Sequence, residues 1–176
     1  MKKFKPKRIL VILGIFIILI FFLALIFLNQ IKSEIFSLIS FYGYPAIFFV
    51  TIIVETLAQP IGPEIPLLAG RILGLKATFT ISITILGTII ASIINYKVGS
   101  LFYEKVCKDE RCTKYVGLYE KYGKYALLVA SIGPVPYVPF CWFSGAFGLS
   151  VKEFLYFGII PRIFRIIIVG LIFFMI

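Results

Sequence analysis

Two apolar stretches of this chain, Tyr44–Leu75 and Ala126–Leu149, are each interrupted near the centre by proline, glycine and polar residues. The first interruption reads Val54-Glu55-Thr56-Leu57-Ala58-Gln59-Pro60-Ile61-Gly62-Pro63-Glu64-Ile65-Pro66. The second reads Gly133-Pro134-Val135-Pro136-Tyr137-Val138-Pro139. Paired broken segments, one in each half of a sequence, point to a transporter with its binding site at mid-membrane depth. The first segment also carries two carboxylates, which are costly inside a bilayer and are expected to be in use.

Composition supports a membrane setting. Hydrophobic residues make up 61% of the chain and mean hydropathy is +1.06, well above the roughly half-apolar composition of soluble domains. Ile9–Leu28 is an uncharged run of 20 residues, enough at ~1.5 Å per residue to cover a ~30 Å hydrocarbon core. A basic start, Met1-Lys-Lys-Phe-Lys-Pro-Lys-Arg8, precedes it. The run is longer than a signal-peptide core and no small-x-small cleavage site follows, so it reads as a retained helix. The expected chain is all-α: residues 1–40 form a transmembrane helix and an interfacial helix, and residues 41–176 form the main membrane domain, with no soluble domain.

The net charge of +10 does not argue for nucleic acid, because the basic residues cluster beside apolar runs. There they set topology and meet anionic headgroups. The chain has no histidine, which removes the usual neutral-pH proton shuttle and the commonest metal ligand. No metal site or cofactor is expected, and a proton relay would have to use carboxylates. Cys107 and Cys112 flank Lys108-Asp109-Glu110-Arg111, and Cys141 lies in the second broken stretch. Without histidine the two loop cysteines cannot complete a zinc site within one chain. A disulfide stays open, although a cytoplasmic loop favours free thiols.

Charge then sets the topology. Residues 1–8 carry five Lys/Arg and no acid, and Lys97–Tyr125 carries seven against four acids, while Asn29–Gly43 holds only Lys32 and Glu34. The positive-inside rule puts the N-terminus and residues 97–125 in the cytoplasm and residues 29–43 outside. A single crossing by Tyr44–Leu75 would send the basic loop outward after Ala77–Ile94. Two crossings need about 40 apolar residues, and 32 are present. A re-entrant hairpin from the outer face satisfies both constraints, provided protein or a wet cavity covers its irregular backbone. The second stretch has only seven apolar residues, Ala126–Ile132, before its break, so it should be a hairpin re-entering from the cytoplasmic side. Phe154–Ile176 then crosses outward, giving a multi-pass cell-membrane protein with its C-terminus outside. Pro66…Gly70…Gly74-Leu75 and Pro139…Gly145…Gly148-Leu149 match with a slip of one residue, a weak inverted repeat. Asn29–Tyr42 has Ile31, Ile35, Leu38, Ile39 and Tyr42 at helical spacing, as in a helix lying on the outer interface or packed on the bundle.

Glu55 and Glu64 flank the Pro60-Ile61-Gly62-Pro63 turn and are the candidate protonatable pair. Burial disfavours a carboxylate's charge and a nearby arginine favours it, so such a pair can exchange a proton near neutral pH. Arg162 and Arg165 lie three apart on the final helix, with Arg165 near the midplane. Their planar guanidinium groups suit phosphate or carboxylate, as substrate contacts or as ion-pair partners of the glutamates. Arg71 is a further anchor. Pro60, Gly62, Pro63, Pro66, Pro134, Pro136, Pro139 and Gly145 belong to the hairpins. Pro66 and Pro139 fit the first turns of half-helices, where a missing N–H costs nothing and the free amides attract an anion.

With these residues in place, the chain resembles the DedA (SNARE-associated Golgi, or VTT-domain) superfamily over about Phe41–Gly170. The resemblance rests on Glu55…Pro60-Ile61-Gly62-Pro63-Glu64, Gly87…Asn95-Tyr96-Lys97-Val98-Gly99, Tyr122-Gly123-Lys124-Tyr125 and Pro134-Val-Pro136…Ser144-Gly145…Gly148-Leu149…Phe154. It implies a lipid carrier or scramblase, acting on a polyprenyl phosphate or a phospholipid, with protons as the candidate coupling ion. Many bacterial members carry two arginines around the second hairpin's proline, and Ser131–Pro139 here has none. Arg162 and Arg165 resemble instead a paired-arginine pattern in the last helix of a side branch. The expected function is transport of an anionic lipid headgroup between leaflets, not catalysis. Its rivals are a small-solute or ion transporter and a non-transporting membrane scaffold.

Overall fold

The computed structural model describes residues 28–57, 62–106, 110–133 and 135–175, together with Leu19. The rest of the expected first helix, Pro60, Cys107 and Pro134 lie outside the described residues. Every regular element among the described residues is helical: α1 (Leu28–Tyr42), α2 (Tyr44–Thr56), α3 (Glu64–Ile72), α4 (Ala77–Val106), α5 (Glu110–Ile132), α6 (Tyr137–Ala146) and α7 (Val151–Met175). Two segments, Ala77–Leu101 and Val151–Met175, are long and apolar enough to cross a membrane by length and composition. Most of the stretch expected as a basic loop, residues 97–125, is helical: α4 continues through Val106 and α5 begins at Glu110.

Local chemistry explains the boundaries. Gly43, at φ 63°, separates α1 from α2, and Pro45 sits in the first turn of α2, where its missing N–H is harmless. Helix α1 buries Ile35 and Ile39 against Ala46, Ile47 and Val50, and leaves Leu38 and Tyr42 exposed. Ser150 caps α7 by accepting the Glu153 N–H at 3.2 Å and donating to its carboxylate at 2.9 Å.

The two halves end their short helices in the same way. Leu73 N donates to Ala69 O, Gly74 N to Arg71 O and Leu75 N to Gly70 O; Phe147 N, Gly148 N and Leu149 N repeat the set with Phe143, Gly145 and Ser144. Gly74 (φ 71°) and Gly148 (φ 72°) supply the left-handed residue that this ending needs. At these endings the two segments correspond at an offset of 74 residues, so that Gly70 matches Ser144, whereas their N-caps, Pro63 and Pro136, are 73 apart.

Directions follow from contacts. A Cβ at Gly170 would press on Ile81, while further along Arg162 stacks on Tyr137, which lies beside Ser92. Helices α4 and α7 are thus antiparallel. Helix α3 runs along the second half of α7, from Glu64 at Arg165 to Arg71 at Phe173. Helix α6 runs along the second half of α4, from Tyr137 near Ser92 to Gly145 against the backbone of Tyr96 and Ser100. The two short helices start at the middle of the molecule and leave toward opposite ends.

Candidate functional site: two ion pairs across two helix breaks

Glu55 occupies the last turn of α2, where the apolar helix stops short of the first break. Its Oε1 accepts from Arg162 Nη2 at 2.5 Å, and the Arg162 guanidinium lies 4.8 Å from the centre of the Tyr137 ring. Glu64 is the first residue of α3, held by the turn in which Ile65 N donates to Gly62 O. Its carboxylate folds back over Gly62, so closely that a Cβ there would collide with Oε2. Glu64 Oε1 accepts from Arg165 Nη2 at 2.6 Å, and Arg165 Nη1 donates to the Gly133 carbonyl at 2.5 Å.

Each arginine therefore joins one break to the other. Arg162 touches Glu55 before the first break and Tyr137 after the second. Arg165 touches Glu64 after the first and Gly133 at the second. The pairs differ in depth: the Arg162 and Glu55 side chains are 6% and 2% exposed, those of Arg165 and Glu64 24% and 28%. The inner pair keeps hydrogen-bonding capacity, since Glu55 Oε2 and Arg162 Nε are buried without a partner among the described residues. A guanidinium with an unused edge can take a second oxyanion without releasing the first.

Helix α7 includes a π-helical turn at Leu155–Ile159, just ahead of the two arginines. Buried positions run Phe154, Gly158, Ile159, Arg162, Ile166, Gly170. The π turn adds Ile159 to the buried face beside Gly158, and Arg162 faces inward with Ile166 and Gly170. Gly158 makes the turn fit: a Cβ there would press on Leu127 and the Tyr137 hydroxyl.

The sequence-derived prolines sit where half-helices begin. Pro63 is the N-cap of α3, Pro136 that of α6, and Pro66 and Pro139 lie in the respective first turns. Gly145 is at the other end of α6, as a close-packing residue against α4. Arg71 stands apart from the ion pairs and caps the end of α7 by donating from Nε to Phe173 O at 3.0 Å. The described residues contain no group of His, Cys, Asp and Glu able to hold a metal ion.

Three contributors went unread as site residues. Tyr137 forms the floor beneath Arg162. Asn95, 1% exposed, donates from Nδ2 to the Glu55 carbonyl at 2.7 Å and accepts from Trp142 Nε1 at 2.9 Å. Thr80, Thr84, Thr88 and Ser92 form a buried hydroxyl stripe on α4. The stripe was visible as a four-residue repeat; nothing in the sequence marks which ring an arginine will cover.

Comparison with known proteins adds little about function. No family model matches the chain, and no solved structure matches it. An uncharacterized protein of Methanocaldococcus jannaschii is 28% identical over 142 residues, covering 78% of this chain and 88% of the relative.

Proposed function

We propose that this chain is a multi-pass membrane transporter that moves an anionic lipid headgroup, that of a polyprenyl phosphate or a phospholipid, between leaflets. The observation that carries this reading is the meeting of two arginine–carboxylate pairs with two broken helices halfway along the two longest apolar helices. At ~1.5 Å per residue, α2, α3 and α6 are about 20, 14 and 15 Å long, each short of a ~30 Å core. In this reading α2–α3 and α5–α6 are re-entrant hairpins, entering from opposite faces as an inverted repeat does.

Surface chemistry supports the setting. Helices α4 and α7 expose Phe79, Leu86, Leu101, Phe164, Ile168 and Met175, and less than half of either apolar window is buried. Water would penalise such a surface; lipid tails would not. A phosphate headgroup entering the site would exchange for Glu64 on Arg165 and take the unused edge of Arg162. The displaced carboxylates would be neutralised by protons, the coupling ion of the proposal. The DedA resemblance of the Glu55–Glu64 segment points the same way.

The test is flipping in reconstituted vesicles carrying a trace of phosphatidylglycerol with a dithionite-sensitive fluorophore on an acyl chain. Dithionite should bleach more than the outer-leaflet fraction lost in protein-free vesicles. Uptake of inorganic phosphate without lipid flipping would replace this reading with the small-solute one. Absence of both activities in folded protein would leave a scaffold.

A further inference from the structure

We infer that Asn95 is the positioning residue of the site, fixing the end of α2 and the middle of α6 to one point on α4 so that Glu55 and Tyr137 reach Arg162 together. This deepens the transport reading above, and rests on it only for its consequence for flipping.

The argument begins with the backbone. Helix α2 ends at Thr56 and its last carbonyls have lost their partners in the next helical turn. The Glu55 carbonyl is one of these, and Asn95 Nδ2 satisfies it at 2.7 Å. That bond sets the height and rotation of the residue whose carboxylate meets Arg162. Asn95 Oδ1 is then free to accept, and takes the indole N–H of Trp142 at 2.9 Å.

Trp142 lies on α6 five residues after Tyr137, the ring beneath Arg162. The neighbouring contacts leave α6 little freedom: a Cβ at Gly99 would strike the Trp142 backbone, and one at Gly145 the Tyr96 and Ser100 backbone. One amide, using both of its ends, thus sets the carboxylate and the aromatic faces around a single guanidinium. The hydroxyl stripe that ends at Ser92 leads along α4 to this same point. No shorter residue could span both bonds, and a carboxylate could make only the Trp142 one.

Trp142 is the only tryptophan in the chain, so its indole N–H gives one resonance in protein labelled with 15N-tryptophan in nanodiscs. Three variants are compared with wild type: Arg162→Lys, Asn95→Leu and the two combined. In wild type the indole proton should lie downfield, as a hydrogen-bonded donor does, and Asn95→Leu should move it upfield. Arg162→Lys, which alters the far side of Glu55, should also move it by several linewidths. That second shift should vanish in the Asn95→Leu background. The same Arg162→Lys shift with and without Asn95 would overturn the inference, because the indole would then sense Arg162 by another route.

If the resonance behaves as expected, Asn95→Leu should also slow flipping at least as much as Arg162→Lys, and Trp142→Phe less, since it leaves the Glu55 bond in place. Protein that shows the spectral coupling without flipping in any variant would refute the transport reading and leave the positioning role intact. Flipping at wild-type rate in Asn95→Leu, in protein that otherwise flips lipid, would refute the positioning role.

Discussion

At the scale of single residues, the two ion pairs make different demands. Arg165 uses two nitrogens in a fork, one on Glu64 and one on the Gly133 carbonyl. An ammonium on a flexible stem cannot reproduce that geometry. Arg165→Lys should therefore cut flipping by ten-fold or more (roughly 1.4 kcal/mol) while the protein stays folded, measured by dithionite bleaching beside circular dichroism. Wild-type flipping in Arg162→Lys, Arg165→Lys protein would make both arginines scaffold. The buried pair should behave differently toward loss of charge. Glu55→Gln leaves the Arg162 guanidinium buried without its counter-ion, a loss of about 3–5 kcal/mol. Glu64→Gln should cost clearly less, because that pair is about a quarter exposed. Removing both inner partners, as Glu55→Gln with Arg162→Met, should recover most of the melting temperature and none of the transport. Full flipping by both single glutamine variants would end the proton role for Glu55 and Glu64.

At the scale of elements, two glycines near the end of α6 separate packing from backbone strain. Gly145→Ala would drive a methyl into the α4 backbone at Tyr96 and Ser100, two rigid surfaces with no side chain able to move aside. Gly148→Ala places a side chain at φ 72°, a backbone strain of about 1–2 kcal/mol. Thermal melts should show Gly145→Ala as the more damaging change; equal losses would mean that α6 is not tightly seated on α4. The breaks themselves were legible, because proline and glycine act locally. So were the start of α4 and nearly the whole of α7, which composition sets; the end of α4 was not, because the helix runs on from the apolar Ala77–Ile94 through the basic stretch to Val106. The slip of one between the two stretches recurs in the helices, whose N-caps match at 73 residues and whose endings match at 74; Gly70 and Gly145 look equivalent as letters but do different jobs, one admitting Thr80 and the other the α4 backbone. The π turn was illegible, since Phe154, Gly158, Arg162, Ile166 and Gly170 keep the four-residue step of an ordinary helix. The pairing of Arg162 with Glu55 was readable only as one option among several, because two charges 107 residues apart have no local signature.

At the scale of the whole molecule, the proposed membrane topology makes a claim that the ion pairs do not. Cys107 and Cys112 should react with a membrane-impermeant maleimide only in inside-out vesicles, and labelling of intact cells would reverse the hairpin argument for Tyr44–Leu75. The arrangement of the pairs also has a consequence in time. Both acids belong to the first half of the chain and both guanidinium groups to the last helix, 107 and 101 residues later. At roughly 5–20 residues per second, a ribosome needs about 5–20 s to travel from Glu55 to Arg162. In the proposed topology the first half would wait in the bilayer over that interval with its acids uncompensated, at a cost of about 2.5–3.5 kcal/mol for each one held ionised at mid-depth. Helix α7, translated well after α2 and α3, is thus the one that neutralises an acid on each of them. In the proposed setting, a chain stalled before Arg162 would hold both carboxylates without the partners they have in the folded molecule.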